Sequence, residues 1–426
     1  MRVDWSTTSS LAALVALIGA QACAGRYATA PAPALTAQPS KVPATLENSP
    51  PAPHILLHVP EVLARHKARW LADQQHPEPA VARLFHDARK ALGEKPFSVT
   101  EKSEVPPSGD KHDYLSLAPY AWPDPRRPDE LPYIMRDGRI NPERDTIADH
   151  AQFSRIVALT ETLGLAYYFT GDENYAHHAA LLLRTFFLDP ATRMNPNLNF
   201  AQGVRGKESG RASGIIDTAG IARLVDGTAL VMDSPAFSKE DRDGLLAWFR
   251  DYLAWLRESE LGRKEGQARN NHGAWYDVQV ASLALATGDV DLARETLQFA
   301  RKRRIGRQID SDGRQPEELQ RTRSWHYAIF NLQALVALAN LGERVGVGLW
   351  RYQTQDGRSI RKAIDWLVPF ALGDARWPTP EISGMRPAEL WPVLREAADR
   401  LHDTQLSTAA AHLGADLDDR LWLFVE

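Results

Sequence analysis

The sequence predicts an all-α protein, an (α/α) toroid or incomplete barrel of antiparallel helix pairs with long loops over a cleft. Apolar residues recur at helical spacing from about residue 55, strand signals are sparse and no βαβ alternation occurs. Two similar segments, 165–186 and 283–303, both contain Thr-Gly-Asp between two helical stretches. Since glycine ends a helix and aspartate begins one, this repeat indicates stacked antiparallel pairs.

Nine stretches carry the helical pattern. They are residues 147–169, 174–187, 217–232, 239–257, 274–286, 290–304, 325–341, 358–371 and 387–401. The stretch 325–341 is apolar nearly all round, as expected of an inner helix that is covered on both sides. Between the helices lie two long irregular segments, 103–145 and 189–216. Because long loops in compact domains are usually functional, we expect both to border the cleft.

The N-terminus of the 426-residue chain has the pattern of a secretory signal peptide, predicted over residues 1–23. The apolar run 11–20 follows Arg2 and is too short to cross a bilayer, which takes about 20 residues. Cys23 follows this run, as does the lipidated cysteine of bacterial lipoproteins; ordinary cleavage nearby is the alternative. We therefore predict a periplasmic or secreted protein, an outer-membrane lipoprotein if Cys23 is lipidated, without a transmembrane segment in the mature chain.

A tether is predicted over residues 24–54, followed by a single catalytic domain over residues 55–426. Seven of the 28 residues in 26–53 are proline, mixed with alanine, serine and threonine. A segment of this composition cannot bury a core and stays extended.

The overall composition excludes several functional classes. With 50 basic and 54 acidic residues the net charge is −4, which argues against a nucleic-acid-binding protein. A single cysteine permits neither an internal disulfide nor a cysteine zinc cluster. No HExxH, P-loop or GxGxxG pattern occurs, and neither a metal nor a cofactor is predicted.

The first candidate site is the run Asn270-Asn271-His272-Gly273 before the helix that is predicted to begin near Ala274. Asparagine there is a natural N-cap, so a structural role is one interpretation. The functional interpretation uses the same position. A helix N-terminus attracts a carboxylate and disfavours a protonated histidine, so a neutral His272 is available as a base.

The second candidate site is the run from Glu318 to Tyr327, ELQRTRSWHY. We expect Ser324 to cap the helix, so that Tyr327 lies in its first turn. Arg321 and Arg323 lie before it and suit planar binding of a carboxylate. A surface salt-bridge cluster beside a core tyrosine is the structural alternative. Both clusters precede predicted helices, whose N-terminal ends can converge on one mouth of a ring.

Three segments resemble the alginate-lyase domain of helical-toroid polysaccharide lyases. They are DYLSLAPYAWPDPRRPDELPYIMRDGRINPE (113–143), NNHGAW (270–275) and ELQRTRSWHYAIFNLQAL (318–335). The PYxWPDP run in the first segment is similar to a broad bacterial branch of that family. Arg321 precedes Tyr327 by six positions, against seven in the alginate-secretion lyases, so Arg323 stays an alternative to Arg321.

The resemblance implies β-elimination on a uronic-acid polymer, with alginate as the first candidate. It assigns Asn271 and Arg321 to the substrate carboxylate, and His272 and Tyr327 to proton transfer. Hydrogen bonds to the carboxylate stabilise the charge that develops as the C5 proton leaves. Either His272 or a deprotonated Tyr327 takes that proton, and Tyr327 protonates the leaving oxygen. If Tyr327 is the base, a nearby arginine has to favour its anionic form.

Several loop residues are candidates for substrate binding. We expect Tyr120 and Trp122 to stack on sugar rings, and other polar side chains to contact carboxylates or hydroxyls: Arg136, Asn199, Gln202, Arg211 and Arg323. The predicted partner is an anionic polysaccharide. Glucuronan or another uronan is the alternative substrate. A glycoside hydrolase and a non-catalytic glycan-binding envelope lipoprotein are the alternative functions.

Overall fold

The computed structural model describes residues 52–414 and 419–425. The predicted signal peptide, Cys23 and nearly all of the predicted tether lie outside the described residues. Among the residues described, no helix combines the length and the apolar character needed to span a membrane.

The core is a ring of inner helices whose outer side is covered by further helices. The inner helices that pack on one another in sequence are α3 (Asp149–Thr170), α5 (Ile221–Ala229), α8 (Asn271–Ala286), α12 (Ser324–Arg344) and α14 (Trp391–Leu401). The outer helices are α4 (Glu173–Leu183), α6 (Lys239–Glu258), α9 (Val290–Ala300), α13 (Ile360–Ala371) and α15 (Thr404–Leu413). Fifteen of the 21 residues of α12 are buried, which confirms the inner position predicted for 325–341.

The repeated Thr-Gly-Asp segments form the turns between inner and outer helices. Gly171 ends α3 with a φ of 68°, and the Asp172 side chain accepts a hydrogen bond from the backbone N–H of Asn174 at the start of α4. Gly288 (φ 85°) and Asp289 make the corresponding turn between α8 and α9. Glycine adopts a positive φ at little cost, which lets the chain reverse direction at both turns. The predicted antiparallel helix pairs are therefore confirmed.

Some helices were not predicted. They are α1 (Pro60–Ala72), α2 (Pro79–Ala91), α7 (Glu260–Gly266) and the short α10 (Gly306–Gln308) and α11 (Pro316–Leu319), as well as α15. Both α1 and α2 begin with proline at the first helical turn, a start signal available in the sequence. Two predicted helices, 174–187 and 290–304, end in wider π-turns at Arg184–Leu188 and Arg301–Ile305.

In the part of the chain that the structure describes, the two long irregular segments hold four short strands. Strand β1 (Leu115–Leu117) pairs in parallel with β4 (Phe200–Gly203), and β2 (Ala121–Trp122) pairs antiparallel with β3 (Ile134–Met135). Short 3₁₀ turns at Pro142–Thr146 and Ala212–Thr218 complete these segments. The strands give both loops a fixed backbone at one end of the ring.

The opposite end of the ring is covered by residues 55–58, close to the first described residue. The Asp226 carboxylate in α5 accepts hydrogen bonds from the backbone N–H groups of Leu56 (2.7 Å) and Leu57 (2.9 Å). Arg344, at the C-terminal end of α12, donates to the backbone carbonyls of Leu56 and His58. These contacts close the end at which α12 terminates, about 30 Å from its N-terminus at 1.5 Å per residue.

A buried ion pair joins the first long loop to the inner ring. Lys102 Nζ lies 2.9 Å from the Asp149 carboxylate at the start of α3, and both side chains are almost fully buried. Lys102 also donates to the carbonyls of Val99 and Lys111. Burial raises the pKa of Asp149 to about 6, against the opposing charge of Lys102. Asp149 therefore adds stability at low pH, which is lost as the pH rises through about 6.

Replacing Lys102 with methionine is expected to lower the free energy of unfolding by about 3–5 kcal/mol, because it leaves Asp149 as an uncompensated buried charge. The loss should be smaller at pH 5 than at pH 8, since an unpaired Asp149 can then take up a proton. Denaturant unfolding followed by circular dichroism at both pH values measures it. The matched control is Lys239→Met, which removes an exposed pair with Asp243 and should cost less than about 1 kcal/mol. Equal losses in the two variants would contradict the role of Lys102.

Candidate active site

Helix α8 begins at Asn271, three residues before the predicted start, and its N-terminus is capped by a carboxylate from elsewhere in the chain. Asn270 occupies the N-cap position without a side-chain hydrogen bond, so the interpretation of the run as an asparagine cap is wrong. Instead Glu318 accepts from the backbone N–H of Asn271 (2.6 Å) and from its side-chain Nδ2 (2.8 Å). This carboxylate satisfies a helical N–H that would otherwise be buried without a partner, and it fixes the amide of Asn271.

The loop that leads into α8 is held by the buried guanidinium of Arg304. It forms an ion pair with Asp277 (2.7 Å) and donates to the carbonyls of Gly266 and Ala268. A Cβ on Gly273 would lie 2.2 Å from Arg304 Nη1 and 2.2 Å from the Ala268 carbonyl oxygen. Glycine in the NNHG run therefore makes room for Arg304. Arg304 therefore has a buried structural role in this loop.

His272 follows Asn271 in the first turn of α8. Its Nδ1 lies 2.6 Å from Oε1 of Glu265, a residue of α7 that is 3% exposed, whereas the imidazole itself is 20% exposed. One edge of the ring therefore faces a buried carboxylate, and the ring is otherwise partly exposed.

Arg321 lies in the loop between α11 and α12. It donates to Oδ1 of Asp137 from Nε (3.0 Å) and Nη2 (2.5 Å), and its guanidinium carbon lies 3.7 Å from the centre of the Tyr327 ring. Burial raises the pKa of the Asp137 carboxyl, but hydrogen bonds from Arg321 and Thr322 outweigh it and hold that pKa below its usual range. Asp137 is therefore ionised and fixes Arg321 against Tyr327.

Tyr327 lies in the first turn of α12 and is 8% exposed. Its phenol oxygen is 2.5 Å from that of Tyr120, on the first long loop. Burial raises the pKa of the Tyr327 phenol well above its usual range; Tyr120 adds to the rise and Arg321 opposes it. Arg321 lies over the ring face, and because burial outweighs its charge, the Tyr327 phenol is protonated near neutral pH.

The expected Ser324 cap on α12 is wrong. Arg323 occupies the N-cap position, and the Ser324 hydroxyl donates to the Pro380 carbonyl. Glu381 accepts from the backbone N–H groups of Trp325 and His326 in its place. A carboxylate is the stronger acceptor at a helix N-terminus because it also meets the dipole, and it leaves Ser324 free to bind the neighbouring loop.

The two candidate clusters meet at Glu318. This carboxyl is 1% exposed, is bonded to Asn271, and lies close enough to His272 and Arg321 for their charges to lower its pKa. Burial has the largest effect and raises the pKa of Glu318 to about 7. Glu318 therefore joins the N-terminus of α8 to the loop before α12, so that Asn271, His272, Arg321 and Tyr327 border the same end of the ring.

The loop residues that are expected to bind substrate do not form one cluster. Trp122 donates from Nε1 to the Arg139 carbonyl (2.8 Å), and the Arg136 guanidinium lies 5.5 Å from the centre of its ring. Tyr120, two residues earlier, contacts Tyr327. Trp122 and Arg136 thus lie on the β2–β3 hairpin next to the loop that carries Tyr120.

A second group of these loop residues is connected through Gln202. Arg211 Nη2 donates to Oε1 of Gln202 (2.9 Å), and Gln202 Nε2 donates to Asp217 (2.7 Å). Burial lowers the pKa of Arg211, and the nearby charge of Glu265 opposes this effect, which places Arg211 near the carboxylate behind His272. Asn199 differs from these residues: it is exposed and accepts a hydrogen bond from Trp255.

Arg321, rather than Arg323, contacts the ring of Tyr327. Arg323 is 8% exposed, its backbone pairs with Glu381 in an isolated bridge, and its Nε is buried without a hydrogen-bond partner in the structure. The sequence did not reveal Glu265 and Asp137 as partners of the site, although Asp137 lies within the first quoted segment. Glu318 belongs to the second candidate run, but its bonds to Asn271 were not predicted. Among the described residues there is no group of three or more possible metal ligands.

The family model for alginate lyases matches residues 98–377. The chain belongs to the alginate lyase family. It is a polysaccharide lyase, which sets aside the hydrolase and the non-catalytic binding protein considered above.

Solved structures agree with this assignment. An alginate lyase from Bacteroides ovatus is 37% identical, with a TM-score of 0.83 over 87% of this chain and 99% of its own. Alginate lyase A1-III from Sphingomonas species A1, at 16% identity and a TM-score of 0.53 over 88% and 97% of the two chains, shares the fold. These similarities confirm the predicted all-α toroid. No curated protein matches significantly.

Replacing Gly273 with alanine should destabilise the chain by about 1–3 kcal/mol, because the new methyl group overlaps the Ala268 carbonyl and Arg304. The melting temperature in a thermal scan measures the loss. Gly348→Ala is the matched control, since nothing lies within 4 Å of its added Cβ and its φ is not positive. A melting temperature equal to that of the control would show that Arg304 does not need this space.

Proposed function

We propose that this chain cleaves alginate by β-elimination at the open end of the ring, with Asn271, His272, Arg321 and Tyr327 as the reacting group. The observation that carries the proposal is the pairing, at one site, of a carboxylate-bound imidazole with a buried, neutral phenol. A β-elimination requires such a pair, a base and an acid, beside donors for the substrate carboxylate.

In the proposed reaction the substrate carboxylate binds next to Asn271 and Arg321. The N-terminus of α8 adds partial positive charge there. The remaining Nδ2 hydrogen of Asn271 and the unused guanidinium hydrogens of Arg321 bond to the carboxylate oxygens. These bonds strengthen as charge moves from C5 onto the carboxylate, so they lower the barrier to removal of the C5 proton.

Proton transfer is then divided between two side chains. Nε2 of His272 takes the proton from C5, the electron pair forms the C4–C5 double bond, and the C4–O bond breaks. Tyr327 gives its phenol proton to the leaving oxygen, and Tyr120 stabilises the phenolate that results through their short hydrogen bond. The raised pKa of Tyr327 favours the acid role over the base role in the unliganded site. A polymer with a different geometry at C5 would require Tyr327 to act as the base as well.

Alginate is the proposed substrate because of the 37% identity to an alginate lyase. A variant of A1-III was solved as a complex with a tetrasaccharide, which fits a substrate of several sugar units. Glucuronan or another uronan is the alternative, since the proposed chemistry needs only a carboxylate at C5. In our proposal Trp122 with Arg136, and Arg211 with Gln202, form binding positions on either side of the reacting sugar. Asn199 and Arg323 are weaker candidates because of their placement.

Tyr327→Phe should lower the rate of unsaturated product formation by about 10²- to 10⁴-fold, the usual contribution of one acid–base group. Absorbance of the double bond during incubation with alginate, glucuronan and a neutral glycan measures the rate and identifies the substrate. Tyr175→Phe is the control, because Tyr175 is equally buried but lies on the outer helix α4. Near-normal turnover in a folded Tyr327→Phe protein would remove Tyr327 from the mechanism.

We also propose that the protein is exported to the cell envelope, with Cys23 as a lipid attachment site. The sequence pattern of residues 1–23 supports this proposal. Cys23→Ser should move the protein from the membrane fraction to the soluble periplasmic or secreted fraction, as measured by fractionation. A wild-type protein that is already soluble after export would favour ordinary cleavage over lipidation.

A further inference from the structure

The carboxylate of Glu265 is buried directly behind the imidazole of His272. Glu265 is 3% exposed, and its Oε1 lies 2.6 Å from Nδ1 of His272. In the described part of the chain, Nδ1 is the one nitrogen of this ring with a hydrogen-bond partner. A carboxylate can only accept, so Nδ1 carries the hydrogen, and the lone pair of a neutral imidazole is then on Nε2.

The position of Glu265 is fixed by its surroundings. It is the penultimate residue of α7, and its carbonyl accepts from the backbone N–H of Ala268 (2.9 Å). Arg304 holds the next carbonyl, that of Gly266, through a 2.8 Å hydrogen bond. The ring of Tyr276 packs on Gly266, where a Cβ would meet it at 2.8 Å. These contacts fix the backbone that carries Glu265 relative to α8.

Glu265 and Glu318 are bonded to two consecutive residues of α8, but they contact different groups. Glu318 is bonded to the backbone and amide of Asn271, whereas Glu265 is bonded to the ring of His272. The guanidinium of Arg211 is near enough to Glu265 to offset part of its charge. When the imidazole is neutral, Arg211 compensates part of the charge of the buried Glu265 carboxylate. When the imidazole is charged, the same carboxylate can interact with it.

We infer that Glu265 is a positioning residue of the lyase: it holds His272 in the tautomer whose Nε2 lone pair faces the substrate, and it stabilises the imidazolium that forms when Nε2 takes the C5 proton. This inference rests on the proposed role of His272 as the base. A carboxylate that orients a histidine in this way is a general device for acid–base catalysis.

The test is Glu265→Gln, which keeps the size of the side chain but adds a hydrogen-bond donor. The amide can donate to Nδ1, so it permits the tautomer in which Nε2 carries the hydrogen and cannot act as a base. We expect kcat to fall by about 10²-fold or more while KM changes less than about threefold. Nitrogen-15 NMR of the substrate-free protein at pH 8 should show the His272 hydrogen on Nδ1 in the wild type and on Nε2 in the variant.

The matched control is Glu396→Gln. Glu396 is also a buried glutamate beside a histidine, with Oε1 3.6 Å from His58 Nδ1, but it lies at the closed end of the ring. Its kcat should equal that of the wild type. A rate loss in both variants would mean that removal of any buried carboxylate disturbs the fold, and would overturn the assigned role.

Further outcomes separate this inference from the proposed function. Unchanged kcat and tautomer in Glu265→Gln overturn the inference and leave the lyase intact. If the wild type makes no unsaturated product from any uronan, the proposed function fails, whereas the NMR result still decides whether Glu265 sets the tautomer. If the variant does not fold, the wild-type spectrum decides: a hydrogen on Nε2 overturns the inference.

Discussion

The candidate active site depends on the buried carboxylate of Glu318. It accepts two hydrogen bonds from Asn271, and thereby caps α8 and orients the amide that is proposed to meet the substrate. Because the same residue belongs to the short helix that leads into the Arg321 loop, it couples the position of α8 to that of α12. A buried carboxylate is costly unless its neighbours compensate it, and here the helix N-terminus, Arg321 and His272 all contribute.

The ring has a polarity that suits an anionic polymer. The N-terminal ends of α8 and α12 lie at this end, and each is capped by a carboxylate, Glu318 on α8 and Glu381 on α12. The chain as a whole carries a net charge of −4, so attraction of a polyanion has to arise locally. Three acidic side chains at this end have partners: Asp137 bonds to Arg321, Glu265 to His272 and Glu318 to Asn271. Arg321 and Arg211 are therefore cations at this end that are placed to attract a polyanion.

The sequence alone predicted the features that depend on residues close together along the chain. The helical stripes and the Thr-Gly-Asp turns are local, and both are found as expected, as is the inner position of α12. The capping of α8 and α12 was wrong because Glu318 and Glu381 come from distant positions and displace the local side chains expected there. Likewise, nothing in the spacing of residues reveals that Glu265 faces the His272 ring or that Arg304 passes over Gly273. Such contacts arise only when helices pack.

The way the chain enters the fold determines how the enzyme faces its surroundings. Residues 55–58 are bound at the closed end by Asp226 and Arg344, on the far side of the ring from His272 and Tyr327. An anchor on the N-terminal side would therefore be attached to the closed end of the domain. The candidate active site would then face away from the surface that carries the anchor. A long polymer could cross the site from either direction without meeting that surface.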